Sequence, residues 1–352
     1  MGRLRASFSA LGADAILVSH LPSIRYLCGF SGSAGLLLVD GARATFFTDS
    51  RYTFQAREEV FAARVQIAKK GILRAVGEVL RSRRRLRVAY SPARMAVAEK
   101  HALEAGAGSS IRWVADGNAV EKLRAIKDAG ELSAIREAAV LISEVFSGLV
   151  PAIRPGVSEL ELAADLEREI KRGGGSGASF ETIVAAGARS AWAHARPTAK
   201  LLEKSELVVF DQGAIIRGYC SDMTRTVHVG RASAKARSLY QAVLEAQQAA
   251  KQAIRPGVRA GDVDQAARRT LKAFKLDKYF THSTGHGLGL EVHEMPRLGK
   301  NEETILRQGM ILTVEPGVYI EDFGGIRIED DVVVTAKGCD DLTTAPREFL
   351  EL

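Results

Sequence analysis

Three short stretches place carboxylates inside segments whose composition is that of buried β-structure. VVFDQGAIIRGYCSDMTRT (208–226) carries Asp211 and Asp222, and TVEPGVYIEDFGGIRIEDD (313–331) carries Glu315 and Glu329. Between them, HSTGHGLGLEVHE (282–294) supplies three of the seven histidines: His282, His286 and His293. A carboxylate aimed inward from an apolar strand is costly unless a positive charge answers it. Arg225 and Arg327 are one answer, a purely structural one. Divalent cations are the other. The histidines favour them, and Gly285, Gly287 and Gly289 let backbone pack closely around such a site. Four carboxylates with an imidazole and no thiolate suit Mn²⁺, Co²⁺ or a mobile Zn²⁺ better than a structural zinc. Two such ions about 3.5–4 Å apart lower the pKa of a water between them toward neutrality, which is the chemistry of a metal-dependent hydrolase.

These residues need hairpins to aim them. AIIRGYC reverses the chain between Asp211 and Asp222, and Asp222 then shares a strand face with Thr224 and Thr226. EDFGG turns the chain after Glu315, and Arg327 and Glu329 share a face on the return. Behind the hairpins lies an internal repeat. AIRPGV occurs at 152–157 and again at 253–258, each time after one helix-like segment (129–149; 232–252) and before another (159–172; 260–274). Pro-Gly ends the first helix of each pair. The simplest architecture is a duplicated unit whose halves meet about a pseudo-twofold axis, their strands forming one sheet backed by helices.

Upstream, residues 1–120 alternate short strands (15–19, 35–39, 44–48, 87–89) with helices (54–60, 72–82), the pattern of a small α/β domain. The polar stretch Val114–Lys127 is the expected linker. A chain of 352 residues suits two domains, placed at 1–122 and 123–352. The 46% hydrophobic and 26% charged composition is that of a globular protein, and no apolar run approaches the ~20 residues of a membrane span. The N-terminus has no secretory pattern, and three dispersed cysteines with no CxxC point to reduced thiols and a cytoplasmic location. The net charge of +7 divides into +11 over residues 1–127 and −4 over the rest. The basicity, including RSRRRLR (81–87), therefore lies away from the carboxylates. It reads as a solvated helix end, and no nucleic-acid partner is expected.

Taken together, the motifs resemble the pita-bread metallopeptidases, in the Xaa-Pro-cleaving branch that contains prolidase and aminopeptidase P. The motifs are FDQG, SDMTRT, TGHGLG, VEPG and RIEDD, with IRYLCGFSGSAGLLLV and TDSRY in the N-terminal part. The resemblance implies an α+β fold: a pita-bread catalytic domain of two pseudo-twofold halves behind a smaller creatinase-like N-terminal domain. It implies Asp211, Asp222, His286, Glu315 and Glu329 as ligands of two divalent ions per subunit, Mn²⁺ ahead of Co²⁺ or Zn²⁺. It also implies Glu315 as proton shuttle and His194 (in AWAHARP) as a substrate-binding and catalytic histidine. His293 would handle the oxyanion or the leaving-group proton, and His282 would form the pocket wall. Arg327 would orient carboxylates or substrate, and Arg297 (in HEMPRLG) would hold a dipeptide's terminal carboxylate. The expected substrates are small proline-containing peptides, cleaved by a homodimer. Dipeptidase action comes first and an aminopeptidase on longer peptides second. A catalytically inactive peptide- or nucleic-acid-binding module on the same fold is the third reading, and the intact ligand set argues against it.

Overall fold

The repeated hexapeptide shows why the second part of the chain folds as it does. The computed structural model describes residues 1–83 and 85–352. In it the chain turns at Gly156 and Gly257 with φ of +88° and +89°, a conformation that only glycine adopts without strain. Each turn then makes the same hydrogen bonds. Gly156 N donates to Leu202 O and Gly257 N to Leu306 O, both at 2.9 Å; Leu202 N donates to Val157 O and Leu306 N to Val258 O, both at 2.8 Å. The duplication therefore extends from six letters of sequence to matched main-chain pairing.

The chain divides into two compact units, Met1–Arg124 and Ala125–Leu352. In the first, helices α1 (Gly2–Ala6), α2 (Phe8–Leu11), α3 (Leu21–Cys28), α4 (Thr53–Glu59), α5 (Ile72–Arg81), α6 (Val97–Ala107) and α7 (Ala119–Arg124) surround a six-stranded sheet. Its strands are β1 (Ala15–Val18), β2 (Leu36–Asp40), β3 (Ala44–Thr48), β4 (Arg64–Ile67), β5 (Leu86–Tyr90) and β6 (Ile111–Ala115), in the order β4-β3-β2-β1-β5-β6. Alternation along the strands builds a core on each face. Ile16, Val18, Leu37, Val39 and Phe46 pack on one side; Ala15, Leu17, Leu38, Phe47 and Val88 pack on the other.

The expected linker Val114–Lys127 does contain the boundary between the units, at 124/125, but most of it is regular structure of the first unit. Val114–Lys127 contains the end of β6 and the whole of α7, because Ala119 and Val120 join the core and Arg124 is buried, donating to Ser23 Oγ at 3.1 Å. The basic run at 81–87 is met by acids: Arg83 pairs with Asp40 (3.2 Å) and Arg87 with Asp14 (2.6 Å). Arg84 lies outside the described residues.

The second unit begins with α8 (Ala129–Leu149) and α9 (Glu159–Arg172), followed by β7 (Ile183–Ala186), β8 (Glu206–Gln212), β9 (Ile215–Ile216), β10 (Tyr219–Cys220) and β11 (Met223–Val229). Its second half has α10 (Ala234–Ala253) and α11 (Ala260–Ala273), then β12 (Gly285–Gly287), β13 (Glu294–Leu298), β14 (Ile311–Val314), β15 (Gly317–Ile320), β16 (Gly324–Arg327), β17 (Asp330–Val334) and β18 (Cys339–Asp341). Helices α8 and α9 bury Ile142, Phe146 and Leu166 against Val208, Phe210 and Val227; α10 and α11 bury Val243, Val263 and Leu271 against Leu312, Val314 and Val332.

The strands do not form the single sheet expected. One half gives β11-β8-β7 and the other β13-β12-β14-β17-β18, with small ribbons β9–β10 and β15–β16 beside them. Where the halves meet, a threonine hydroxyl enters the ladder: Arg327 N donates to Thr226 Oγ1 (3.1 Å), which donates to Arg327 O (2.9 Å). Main-chain bonds also cross between the halves, among them Glu329 N to Thr224 O at 3.1 Å and Cys220 N to Gly289 O at 2.7 Å. Among the described residues no helix is long and apolar enough to cross a membrane.

Helix α8 starts at a reciprocal cap. Asp128 accepts from the amides of Gly130 and Glu131 (both 2.9 Å), and the Glu131 carboxylate accepts from Asp128 N (2.9 Å). Asp128→Ala is expected to lower the unfolding free energy of this unit by about 1 kcal/mol. Denaturant titration monitored by circular dichroism checks this, and an unshifted midpoint would refute it.

Candidate metal centre and substrate cavity

Asp211 ends its side chain inside because it stands in β8 directly opposite Thr224 of β11. Asp222 precedes β11, Glu315 follows β14, and Glu329 joins β16 to β17. His286 lies in β12, opposite Arg297 of β13. Asp211, Asp222, His286, Arg297, Glu315 and Glu329, with His194, His282, His293 and Arg327, line one cavity of about 770 Å³.

At its floor, ligand atoms of Asp222, His286 and Glu329 lie within 4.8 Å of one another. His286 Nε2 is 3.3 Å from Glu315 Oε1 and 3.7 Å from Asp222 Oδ2. The other ring nitrogen, Nδ1, faces the Gly287 carbonyl at 3.0 Å. A carbonyl only accepts, so Nδ1 carries the proton and Nε2 turns a lone pair toward two carboxylates. Oxygen and nitrogen lone pairs aimed at one another need a cation between them.

The surrounding hydrogen bonds fix these groups without neutralising them. Thr224 Oγ1 donates to Glu329 Oε2 (2.6 Å) while accepting from Arg327 Nε (3.0 Å). Thr313 Oγ1 donates to Glu315 Oε1 (3.1 Å) and accepts from His286 N (3.0 Å). Asp331 Oδ2 accepts from Asp222 N at 2.9 Å, and Asp331 N donates to Thr343 Oγ1 at 2.9 Å. Arg327 pairs with Asp211 Oδ2 at 2.5 Å, so it does supply counter-charge to one of the four acids. Arg225 is not a counter-ion to the four carboxylates. It lies on the other face of β11, pairs with Asp330 at 2.9 Å and donates to the carbonyls of Thr224, Glu329, Ala345 and Pro346.

One arginine among four acids leaves the site short of positive charge. Burial, then the charges of Glu329 and Asp211, drives Asp222 well above the carboxylate range; burial, then Glu315 and Asp211, does the same to Glu329. Burial lifts Glu315 to about 7. Asp211 Oδ1 and Asp222 Oδ1 are buried without a hydrogen-bond partner. Orphaned, buried carboxylate oxygens around an imidazole lone pair are the donor set of an oxygen-preferring divalent ion, so the residues fit such a cofactor.

The cavity walls come from loops. His194 is exposed on the turn after residues 187–191, and Arg327 Nη1 donates to the neighbouring Ala193 O at 3.3 Å. His282 is held by Tyr319 Oη at 2.9 Å, and burial pushes its pKa down to about 4. Its loop is tied to α11: Asp264, which is buried, accepts from Thr284 N (3.1 Å) and Thr284 Oγ1 (2.9 Å), and Arg268, paired to Asp264 at 2.7 Å, donates to the carbonyls of Phe280 and His282. His293 packs edge-on against His286 with ring centroids 4.3 Å apart. Arg297 is exposed in the wall and makes no ion pair among the described residues.

Sequence reasoning missed Tyr319, Thr313, Asp264 and Asp331. Only Asp331 carries a usable signal, as one of two further acids that follow Glu329 in the same apolar run. The hydroxyls carried none, since threonine is ordinary in strands.

Comparison with known proteins places this geometry. Residues 133–336 match metallopeptidase family M24, and residues 1–126 match the creatinase/prolidase N-terminal domain. An Xaa-Pro dipeptidase of Pyrococcus furiosus is 35% identical, over 96% of this chain and 95% of its own. Among solved structures, an Xaa-Pro dipeptidase from Bacillus anthracis superimposes with a TM-score of 0.95 at 36% identity, covering 100% of this chain and 98% of that one. An X-Pro aminopeptidase from Thermotoga maritima gives 0.89 at 34%, covering 99% and 100%. The carboxylate hairpins, the duplicated halves and the full-length likeness agree: the chain belongs to metallopeptidase family M24, with a creatinase/prolidase-type N-terminal domain and a pita-bread catalytic domain.

Proposed function

We propose that the chain hydrolyses Xaa-Pro peptide bonds, with Xaa-Pro dipeptides as its main substrates. The observation that carries this reading is one cavity whose lining includes Asp211, Asp222, Glu315 and Glu329, four histidines and the exposed Arg297. Asp211, Asp222, His286, Glu315 and Glu329 would hold two divalent ions, Mn²⁺ ahead of Co²⁺ or Zn²⁺. When bound, such ions supply Lewis acidity and a water that is nucleophilic near neutral pH.

The chain's own groups do the rest. Glu315, kept in place by Thr313, takes the proton of the attacking water. His293 donates toward the developing oxyanion or the departing proline nitrogen. His194 and His282, both in the cavity lining, would contact the substrate, and Arg327 orients the Asp211 carboxylate. An Xaa-Pro bond is a tertiary amide without an N–H, so a site of this kind forgoes nothing by failing to grip one. Arg297 offers a planar fork to a terminal carboxylate, which a dipeptide presents one residue beyond the scissile bond.

A second reading, release of the N-terminal residue from longer peptides, is favoured by the size of the cavity, about 770 Å³. Residues 1–122 serve as the accessory domain and 123–352 as the catalytic one. We place the protein in the cytoplasm as a homodimer, because its three cysteines are free and the residues lining the cavity all belong to the second unit.

Two measurements test this reading. Calorimetric titration of chelator-treated protein with Mn²⁺ should give two ions per chain, and Glu329→Gln should remove at least one. A chain that binds none would sink the proposal. Arg297→Ala should reduce Xaa-Pro cleavage by roughly 10- to 150-fold, the equivalent of about 1.5–3 kcal/mol, while changing Xaa-Pro-Yaa cleavage far less. Equal losses on both substrates would make Arg297 structural and favour the second reading.

A further inference from the structure

Helix α9 begins with a carboxylate that the metal chemistry does not use. Glu159 is fully buried, yet it lines no part of the cavity. Its Oε1 accepts from Ala186 N (2.9 Å) and Arg189 Nε (3.2 Å); its Oε2 accepts from Thr198 N (2.9 Å) and Thr198 Oγ1 (2.7 Å). Ala186 is the last residue of β7, and Thr198 lies where the chain returns toward β8. One carboxylate therefore holds both stems of the loop 187–197, whose residues Ala193, His194, Ala195 and Arg196 line the cavity. Arg189 tightens the same loop by also donating to Arg196 O.

The fold by itself does not require an acid here. In the other half the equivalent position, 101 residues on, is Ala260. Glu159 N donates to Lys200 O and Leu160 N to Thr198 O; Ala260 N donates to Thr304 O and Gly261 N to Glu302 O. The main-chain joint between helix and returning segment is thus made in both halves, once with glutamate and once with alanine. The halves part company after the next strand. β7 leads into the loop that carries His194, whereas β12 leads into the segment that carries His293.

We propose that Glu159 is a positioning residue that sets His194 against the substrate. This rests on the reading of His194 as a substrate-binding group. A buried carboxylate accepting from four donors, one of them a guanidinium N–H shared by both oxygens, is a rigid anchor. An amide of the same shape turns an NH₂ toward two of those donors, so Glu159→Gln releases one stem.

The test combines steady-state kinetics on an Xaa-Pro dipeptide, Mn²⁺ titration and hydrogen–deuterium exchange on Glu159→Gln, His194→Ala and the double variant. The expected result is a rise in KM of at least tenfold with kcat within about threefold and Mn²⁺ affinity unchanged. Deuterium uptake should increase across 187–197. In the double variant KM should exceed that of His194→Ala by less than about twofold, because the two act through one contact. Independent, multiplying losses in the double variant would overturn the proposal, as would unchanged uptake in the loop. Thr198→Val removes one donor at constant shape; it should raise KM about threefold and be equally silent without His194, so it decides the matter if Glu159→Gln fails to fold. If the unsubstituted protein leaves Xaa-Pro dipeptides uncut, it is the proposed activity that falls, and the exchange comparison still decides the anchor.

Discussion

Negative charge in an apolar interior is the constraint on which the rest of the structure depends. Asp211, Asp222, Glu315 and Glu329 leave strands whose other residues build the two helix-backed cores. A carboxylate there is tolerated only with donors, counter-charge or a proton. The chain supplies donors sparingly. Thr224 is shared between Arg327 and Glu329, Thr313 between His286 and Glu315, and only Asp211 receives a guanidinium. The geometry is fixed while the charge is left largely uncompensated, the condition under which a cation binds strongly.

Strands and loops divide the remaining work. The strands and their ends carry every group suited to a metal, whereas His194 and His282 come from irregular segments. A loop holds a side chain less firmly than a strand does, and in each half a buried acid from the second helix makes up the difference. Asp264 ties the segment 280–284 through Thr284 and Arg268, and Glu159 ties the segment 186–198. The two acids are not equivalent by the repeat, since Asp264 lies one turn further along its helix than the position matching Glu159.

Much of this is legible in the sequence alone. Acids inside β-branched runs betray Asp211, Asp222 and Glu329, because composition and charge disagree there. The hexapeptide betrays the duplication, because Gly156 and Gly257 answer a backbone need that no other residue meets. The expected linker holds the boundary between the units, but the helix α7 inside it goes unread because Ala119 and Val120 are too short an apolar signal to outweigh the charges around them, and burial of Arg124 cannot be read from its type. β4 escapes notice for a related reason: RVQI is an edge strand with no fully buried residue. The single-sheet expectation fails at Thr226, where one hydroxyl replaces two main-chain partners, a substitution that leaves no mark on periodicity.

The seam at Thr226 has a consequence for the divisibility of the catalytic unit. Asp222 N reaches Asp331 across 109 residues of chain, Thr224 reaches Glu329 across 105, and Arg327 reaches Asp211 across 116. Each link joins a group of one half to a group of the other, so Asp211, Glu329 and Asp331 each draw a donor from the half to which they do not belong. Closing loops of that length carries an entropic cost that local helices and hairpins do not face. A unit built twice on one pattern is thereby single in its thermodynamics: either repeat in isolation would lack the partners that Asp211, Glu329 and Asp331 find in the other.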